Sequence, residues 1–211
     1  MIKCVIFDCD GTLVDSELLC NQCSALKLKE LGIVEDAGVL VRRYRGAKLA
    51  TILVDISARH QVTIPNSFVS EYRALTALHF DNFLRPTIGV EAALAVIPLP
   101  KCVASSGPPE KISQALRVAG LARHFSDRIF SSYTVNSWKP DPALLLYAAS
   151  QMGFSPSCCA VVDDSLLGIQ AAASAGMPSF LFDPDGTNLS TDSPITTIFR
   201  EMSVLPGLLG V

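Results

Sequence analysis

Five short apolar runs set the limits on what this chain can fold into. They are Lys3–Phe7, Lys101–Ala104, Arg128–Phe130, Cys158–Val162 and Ser179–Phe182. None alternates apolar with polar, so none reads as a strand with one wet face. Each is too short for a buried helix and is followed by turn chemistry, the pattern of parallel strands covered on both sides. Between them, Glu110–Ala119, Pro142–Met152 and Leu166–Ala175 read as helices, stopped by Gly120, Gly153 and Gly176. Alternating strand and helix with right-handed crossovers gives an α/β core, a doubly wound, Rossmann-like parallel sheet.

The stretch between the first two runs breaks this rhythm. It contains no buried-strand run and reads as amphipathic helices over about 17–31, 36–44, 48–60 and 66–83, punctuated by Gly32 and Pro65. The expected organisation is an α/β core of residues 1–15 and 86–211 and an all-helical cap of residues 16–85. Ligands of open α/β sheets bind at the carboxyl ends of the strands, and an insertion after strand one is placed to cover that edge.

Bulk properties narrow the function. Hydrophobic residues are 49% of the chain and charged residues 18%, enough for a large core without staples. A formal net charge of −3 supplies no basic excess for nucleic acid. The seven cysteines show no CxxC or Cys/His zinc spacing and read as reduced thiols. No signal peptide and no apolar run of membrane-spanning length is visible. The expected setting is the cytoplasm, away from membranes.

Four polar stretches follow the predicted strands or precede a helix: "DCDGT" (Asp8–Thr12), "SSG" (Ser105–Gly107), "WKPDP" (Trp138–Pro142) and "VDDS" (Val162–Ser165). Each alone has an ordinary reading as a turn, a helix cap or a solvated lysine. Together, at one edge of one sheet, they exceed what capping requires. Clustered carboxylates with one lysine and one hydroxyl suit a hard cation and a phosphate. Mg²⁺ takes one or two protein carboxylates and completes its shell with water and phosphate. A carboxylate can also attack phosphorus.

These motifs, in this order, resemble those of the haloacid dehalogenase-like phosphotransferases. The inserted helices resemble the cap of the subgroup with β-phosphoglucomutase and phosphoglycolate phosphatase. "FDCDGTLVDSE", "RGAKL", "WKPDPAL" and "VDDS" are similar to the 6-phosphogluconate phosphatase type. The resemblance implies an Mg²⁺-dependent phosphatase of a small phosphorylated metabolite, working through an aspartyl phosphate. It implies Asp8 as nucleophile and Asp10 as general acid and base, with the Asp10 main-chain carbonyl on the metal. It implies Ser105 and Lys139 on the phosphoryl group, with Lys139 also orienting Asp8. Asp8 and Asp164 would ligate Mg²⁺ directly and Asp163 through water. Ser106 and Gly107 would complete the phosphate loop.

The remaining readings come from the residues themselves. Cys9 should point away from Asp8 and Asp10, because side chains alternate along extended backbone. Thr12 should bond backbone locally, and Asp15 should stabilise the turn into the cap. In "YRGAKL", Gly46 should give a flexible loop with Arg45 and Lys48 exposed on it. Those two cations either end helices in solvent or meet a second anion on the substrate. Asn21 and Gln22 would add hydrogen bonds. A sugar-phosphate mutase would need the same four motifs. A dehalogenase would need neither Asp10 nor the metal cluster, and a noncatalytic binding protein would have no use for the intact set.

Overall fold

The structure is a computed structural model and describes residues 1–187, 191 and 193–211. A six-stranded sheet lies at its centre. The strands are β1 (Cys4–Phe7), β2 (Lys101–Ser105), β3 (Ile129–Ser131), β4 (Cys159–Asp163), β5 (Ser179–Phe182) and β6 (Thr196–Phe199). They run in the order β3-β2-β1-β4-β5-β6, and every pairing is parallel. The α/β class and five of the strands match the sequence reading within a residue or two at each end. The sixth was not anticipated. "TTIF" is short and leaves Thr197 and Ile198 exposed, so it lacks the continuous apolar run by which the others were found.

Alternation in β1 shows why both faces must be covered. Val5 and Phe7 enter one apolar cluster, with Phe125, Val103 and Val162. Cys4 and Ile6 enter the other, with Leu144, Ala148 and Val161. All four β1 side chains are fully buried. Burying each large apolar side chain contributes roughly 1.5–3 kcal/mol, which fixes the register of this strand firmly.

Ten α-helices complete the described chain. The helices α1 (Glu17–Glu30), α2 (Ala37–Tyr44), α3 (Leu49–His60), α4 (Phe68–Phe83) and α5 (Val90–Val96) lie between β1 and β2. The first four match the predicted insertion. Leu28, Ile33, Leu40, Ile56 and Phe68 give it an apolar cluster of its own. The helix α5 was missed; its Val90, Ala93 and Leu94 pack on the sheet cluster instead. The two strands of chain that connect insertion to sheet are tied together. Asp15 N–H donates to Arg85 O at 3.0 Å and Thr87 N–H to Leu13 O at 3.0 Å. Asp15 is exposed, and it is its backbone N–H that makes this link.

The later helices are α6 (Pro109–Val118), α7 (Ser132–Val135), α8 (Ala143–Gln151), α9 (Leu166–Ser174) and α10 (Leu205–Leu209). The three predicted helices α6, α8 and α9 each run into a glycine at positive φ: Gly120, Gly153 and Gly176. Among the described residues, no helix is long and apolar enough to cross a membrane.

One close approach links the fold to the polar edge of the sheet. Gly168, in the first turn of α9, lies directly under the Asp163 carboxyl group. A Cβ there would sit 2.0 Å from Asp163 Cγ. Helix propensity alone predicts that Gly168→Ala stabilises by roughly 1 kcal/mol. The overlap predicts the reverse, a loss of about 1–3 kcal/mol as Asp163 is forced aside. Thermal denaturation decides: a melting temperature that stays level or rises would mean Asp163 yields without cost.

Candidate active site

Parallel register assembles the polar edge. Phe7 pairs with Val162, so the next residues, Asp8 and Asp163, emerge side by side. On the other flank Phe7 pairs with Val103, which brings Ser105 to the same edge. Strand β1 is the switch point, with β2 and β3 to one side and β4, β5 and β6 to the other. The crevice at such a point is where open α/β sheets bind ligands.

Lys139 arrives from the loop before α8 and joins the two central carboxylates. Its Nζ donates to Asp8 Oδ1 at 2.6 Å and to Asp163 Oδ2 at 2.7 Å. All three residues are buried. Burial alone would push the lysine down, but the charges of Asp163 and Asp8 hold it above the ordinary lysine value. Burial raises Asp8 to about 7, because the loss of water and the Asp163 charge outweigh Lys139. Asp164 is raised well above the usual carboxylate range, by burial first and then by Glu17, Asp163 and Asp8. One carboxylate oxygen each from Asp8, Asp163 and Asp164 falls within 4.8 Å of the others. Three oxygens at such separations fit a hard divalent cation.

Local hydrogen bonds fix these groups. Asp163 Oδ1 accepts from Ser165 N–H at 2.9 Å and from Ser165 Oγ at 2.7 Å. Ser165 Oγ in turn accepts from Gly168 N–H, capping α9. So the helix-cap reading holds for Ser165, while Asp164 lines the crevice and Asp163 is buried between Ser165 and Lys139. Thr12 does not bond its neighbouring backbone as expected. Its Oγ1 donates to Asp164 Oδ1 at 3.2 Å, because the turn at Gly11 folds Thr12 under the Asp164 carboxylate. Gly11 has φ +74° and is too close to Asp164 for a Cβ, which would lie 2.3 Å from Oδ2. Cys9 is buried in the sheet cluster, on the side opposite the crevice, as alternation predicts.

Asp10 has both oxygens engaged. Ser16 Oγ donates to Oδ1 at 2.6 Å and Lys111 Nζ to Oδ2 at 2.7 Å. Burial would raise this carboxyl group, but Lys111 first and then Ser16 outweigh it and hold Asp10 below its ordinary value. The Asp10 carboxylate is not one of the three clustered groups. Lys111, in the first turn of α6, was not a candidate from sequence, where it looked like a solvated helix residue. Glu17 was missed for the same reason. It lines the cavity and is raised to about 7, by burial and then by Asp10.

A cavity of about 260 Å³ lies between this edge and the insertion. Asp8, Asp10, Asn21, Gly46, Lys48, Ser105, Ser106, Gly107, Lys139 and Asp164 are in its wall. Three sequence expectations need correction here. Gln22 is exposed and faces away, because neighbouring helix residues point about 100° apart and Asn21 takes the inward position. Asn21 itself donates to Glu17 O at 2.8 Å. Gly46 is not a free hinge: at φ +76° it packs on Ser165, where a Cβ would come within 2.7 Å. Arg45 and Lys48 are half-buried rather than exposed, because that packing turns both toward the sheet edge. Arg45 pairs with Asp164 at 3.8 Å and Asp185 at 3.7 Å. Lys48 Nζ sits 3.3 Å from the centre of the Trp138 ring.

Residues 2–176 match the family model "haloacid dehalogenase-like hydrolase". The chain is 39% identical over 208 residues to the 6-phosphogluconate phosphatase of Escherichia coli K12, covering 98% of this chain and 94% of that one. It is 32% identical over 203 residues to a phosphoglycolate phosphatase of Shigella dysenteriae, covering 84% of this chain and 80% of that protein. A solved haloacid dehalogenase-like protein of unknown function from Agrobacterium tumefaciens superposes with a TM-score of 0.85 at 26% identity, covering 100% of this chain and 98% of that one. The chain belongs to the haloacid dehalogenase-like hydrolase family.

Proposed function

We propose that this chain is a phosphatase of small phosphorylated metabolites, with a phosphorylated sugar acid such as 6-phosphogluconate as the favoured substrate. The observation that carries this reading is the Lys139 ammonium bonded to both Asp8 and Asp163, with Asp164 completing a three-carboxylate cluster. A cavity near 260 Å³ suits a small metabolite. The 6-phosphogluconate phosphatase relative supplies the choice of sugar acid. Residues 16–85 act as a cap over a core of residues 1–15 and 86–211.

In this reading Asp8 attacks phosphorus, and the bond from phosphorus to the leaving oxygen breaks. Lys139 steers the Asp8 carboxylate and, with Ser105 and the N–H groups of Ser106 and Gly107, holds the phosphoryl oxygens. Asp10 gives its proton to the leaving oxygen. It then takes a proton from water as that water displaces Asp8 and releases phosphate. Held ionised by Lys111 and Ser16, Asp10 stands ready for the second, proton-accepting half. The first half requires the Lys111 contact to loosen so that Oδ2 carries a proton. Asp8, Asp163, Asp164 and the Asp10 carbonyl would hold Mg²⁺, which when bound offsets the charge of the carboxylates and of the phosphoryl group.

Two substitutions separate the aspartates. Asp8→Asn removes the attacking oxygen and should abolish turnover of every phosphate ester. Asp10→Asn should slow a sugar phosphate by about 10²–10⁴-fold, the usual worth of general acid–base help, and slow p-nitrophenyl phosphate less in the first step. Phosphoenzyme should then accumulate. Steady-state assays of released phosphate and acid-quench trapping test both; equal losses on the two esters, with no trapped intermediate, would sink the Asp10 role. Release of an isomer instead of phosphate would move the chain to the mutases.

Asp8 of the cluster and Glu17 beside it also give a pH signature. Folded Asp8 and Glu17 keep protons up to about 7, against ordinary values of 3.8 and 4.5. Between those limits the folded state binds more protons than the unfolded one. Their contribution is therefore fully present below about pH 4 and lost as pH rises through 7. Mg²⁺ binds the ionised cluster and should offset the loss. The rise in melting temperature on adding Mg²⁺ should be small at pH 5 and larger at pH 8, and EDTA should remove it. An equal rise at both pH values would argue against Asp8, Asp163 and Asp164 as the metal site.

A further inference from the structure

The cavity wall contains cations in two electrostatic conditions. Lys139 and Lys111 are neutralised by Asp8, Asp163 and Asp10. Arg45, beside the wall, is neutralised by Asp164 and Asp185. Lys48 and Arg73, both from the insertion, differ. Lys48 rests on the face of Trp138. Arg73 donates to Tyr133 Oη at 2.9 Å and lies 5.3 Å from the centre of that ring. Among the described residues, no carboxylate lies within ion-pair distance of either cation. A ring face and a phenol leave the positive charge in place.

The two aromatic partners form one unit. Tyr133 and Trp138 meet edge to face, with centroids 5.3 Å apart. All four residues line the cavity. One short stretch of wall therefore gathers an ammonium, a guanidinium and a phenol, backed by the ring of Trp138. Apart from the phenol oxygen, each of these groups only donates. Such a set recognises an anion, and the forked guanidinium matches a carboxylate in particular.

We propose that Lys48 and Arg73, set on the Tyr133–Trp138 pair, form the subsite for a second anion on the substrate, a carboxylate at the end away from the transferred phosphoryl group. This rests on the phosphatase reading above and narrows its substrate class to phosphate monoesters that also carry a carboxylate. The carboxylate meets insertion and sheet domain together, because two of the four residues come from each. Arg73 had no signal in the sequence: it sits in the middle of α4 with nothing to distinguish it from a solvated helix arginine.

The test compares two esters that differ at one carbon. 6-Phosphogluconate ends in a carboxylate, and sorbitol 6-phosphate ends in a neutral hydroxymethyl group. The wild-type chain should favour the former in kcat/KM. Arg73→Ala and Lys48→Ala should each lower that preference by about tenfold, the scale of one charged hydrogen bond. Arg73→Lys should retain part of it. The preference is a ratio, so an unfolded fraction lowers both rates and cancels. If the two cations only fasten the insertion, or if they hold the phosphoryl group itself, both esters weaken in parallel and the ratio stays fixed. A fixed ratio, or a wild-type chain with no preference, overturns the subsite. Failure of the phosphatase reading would look different: no turnover of any ester, p-nitrophenyl phosphate included. Calorimetry of both esters on Asp8→Asn then still judges the subsite, since equal affinities overturn it and a carboxylate preference lost in Asp8→Asn/Arg73→Ala supports it.

Discussion

The structure turns on one buried ammonium group. Parallel register forces Asp8 and Asp163 to leave neighbouring strands side by side, and Asp164 follows immediately. Acidic groups packed this closely and away from water cannot all stay ionised without a cation. Lys139 supplies one, bonding Asp8 and Asp163 at once. Removing a single partner from such a buried pair typically costs 3–5 kcal/mol, because the other charge is left stranded. The loop before α8 must therefore deliver Lys139 to this point. Asp141, two residues on, accepts from Ala143 N–H at 2.8 Å and starts the helix that anchors the loop.

The sheet and the central carboxylates were legible in the sequence for the same reason. A fully buried parallel strand leaves a continuous apolar run, and its end marks the functional edge. Asp8, Ser105 and Asp163 each stand at the end of such a run, so finding the strands also located them. Where the pattern was weaker, the reading failed. The edge strand β6 buries only Phe199 fully, and α5 is seven residues long between Gly89 and Pro98. Residues that reach the cavity from helix surfaces left no trace. Lys111, Glu17 and Arg73 each look like solvated helix residues, and only the packing of α1, α4 and α6 around the cavity brings them together. Trp138 stood inside a recognised motif, yet nothing in the motif says that a lysine ninety positions earlier covers its ring.

The same division separates what the loop at Gly46 was expected to do from what it does. Composition suggests a flexible link with free charges. The contact with Ser165 makes it a fitted surface instead, and that fit turns Arg45 toward the carboxylate cluster and Lys48 toward Trp138. A glycine's lack of a side chain permits two opposite things, motion and close packing, and sequence alone does not choose between them. The neighbouring surface does.

The chemistry of these contacts also bears on how an enzyme of this shape can turn over. Insertion and sheet domain meet partly through salt bridges and partly through cations on aromatic rings. A half-exposed cation–π contact is worth roughly 0.5–1 kcal/mol, well below a buried ion pair. Lys48 and Arg73 can therefore hold the insertion against the sheet loosely. They also keep a positive charge that an incoming anion can use, which a carboxylate partner would have cancelled. In the proposed role of the insertion as a cap, two requirements conflict: it must grip a charged substrate and then let the product go. Neutral aromatic partners ease the conflict, because the strong contact exists only while the anion is present. In the proposed subsite, once phosphate and a dephosphorylated acid depart, what remains between the two parts at this point is the weak contact alone.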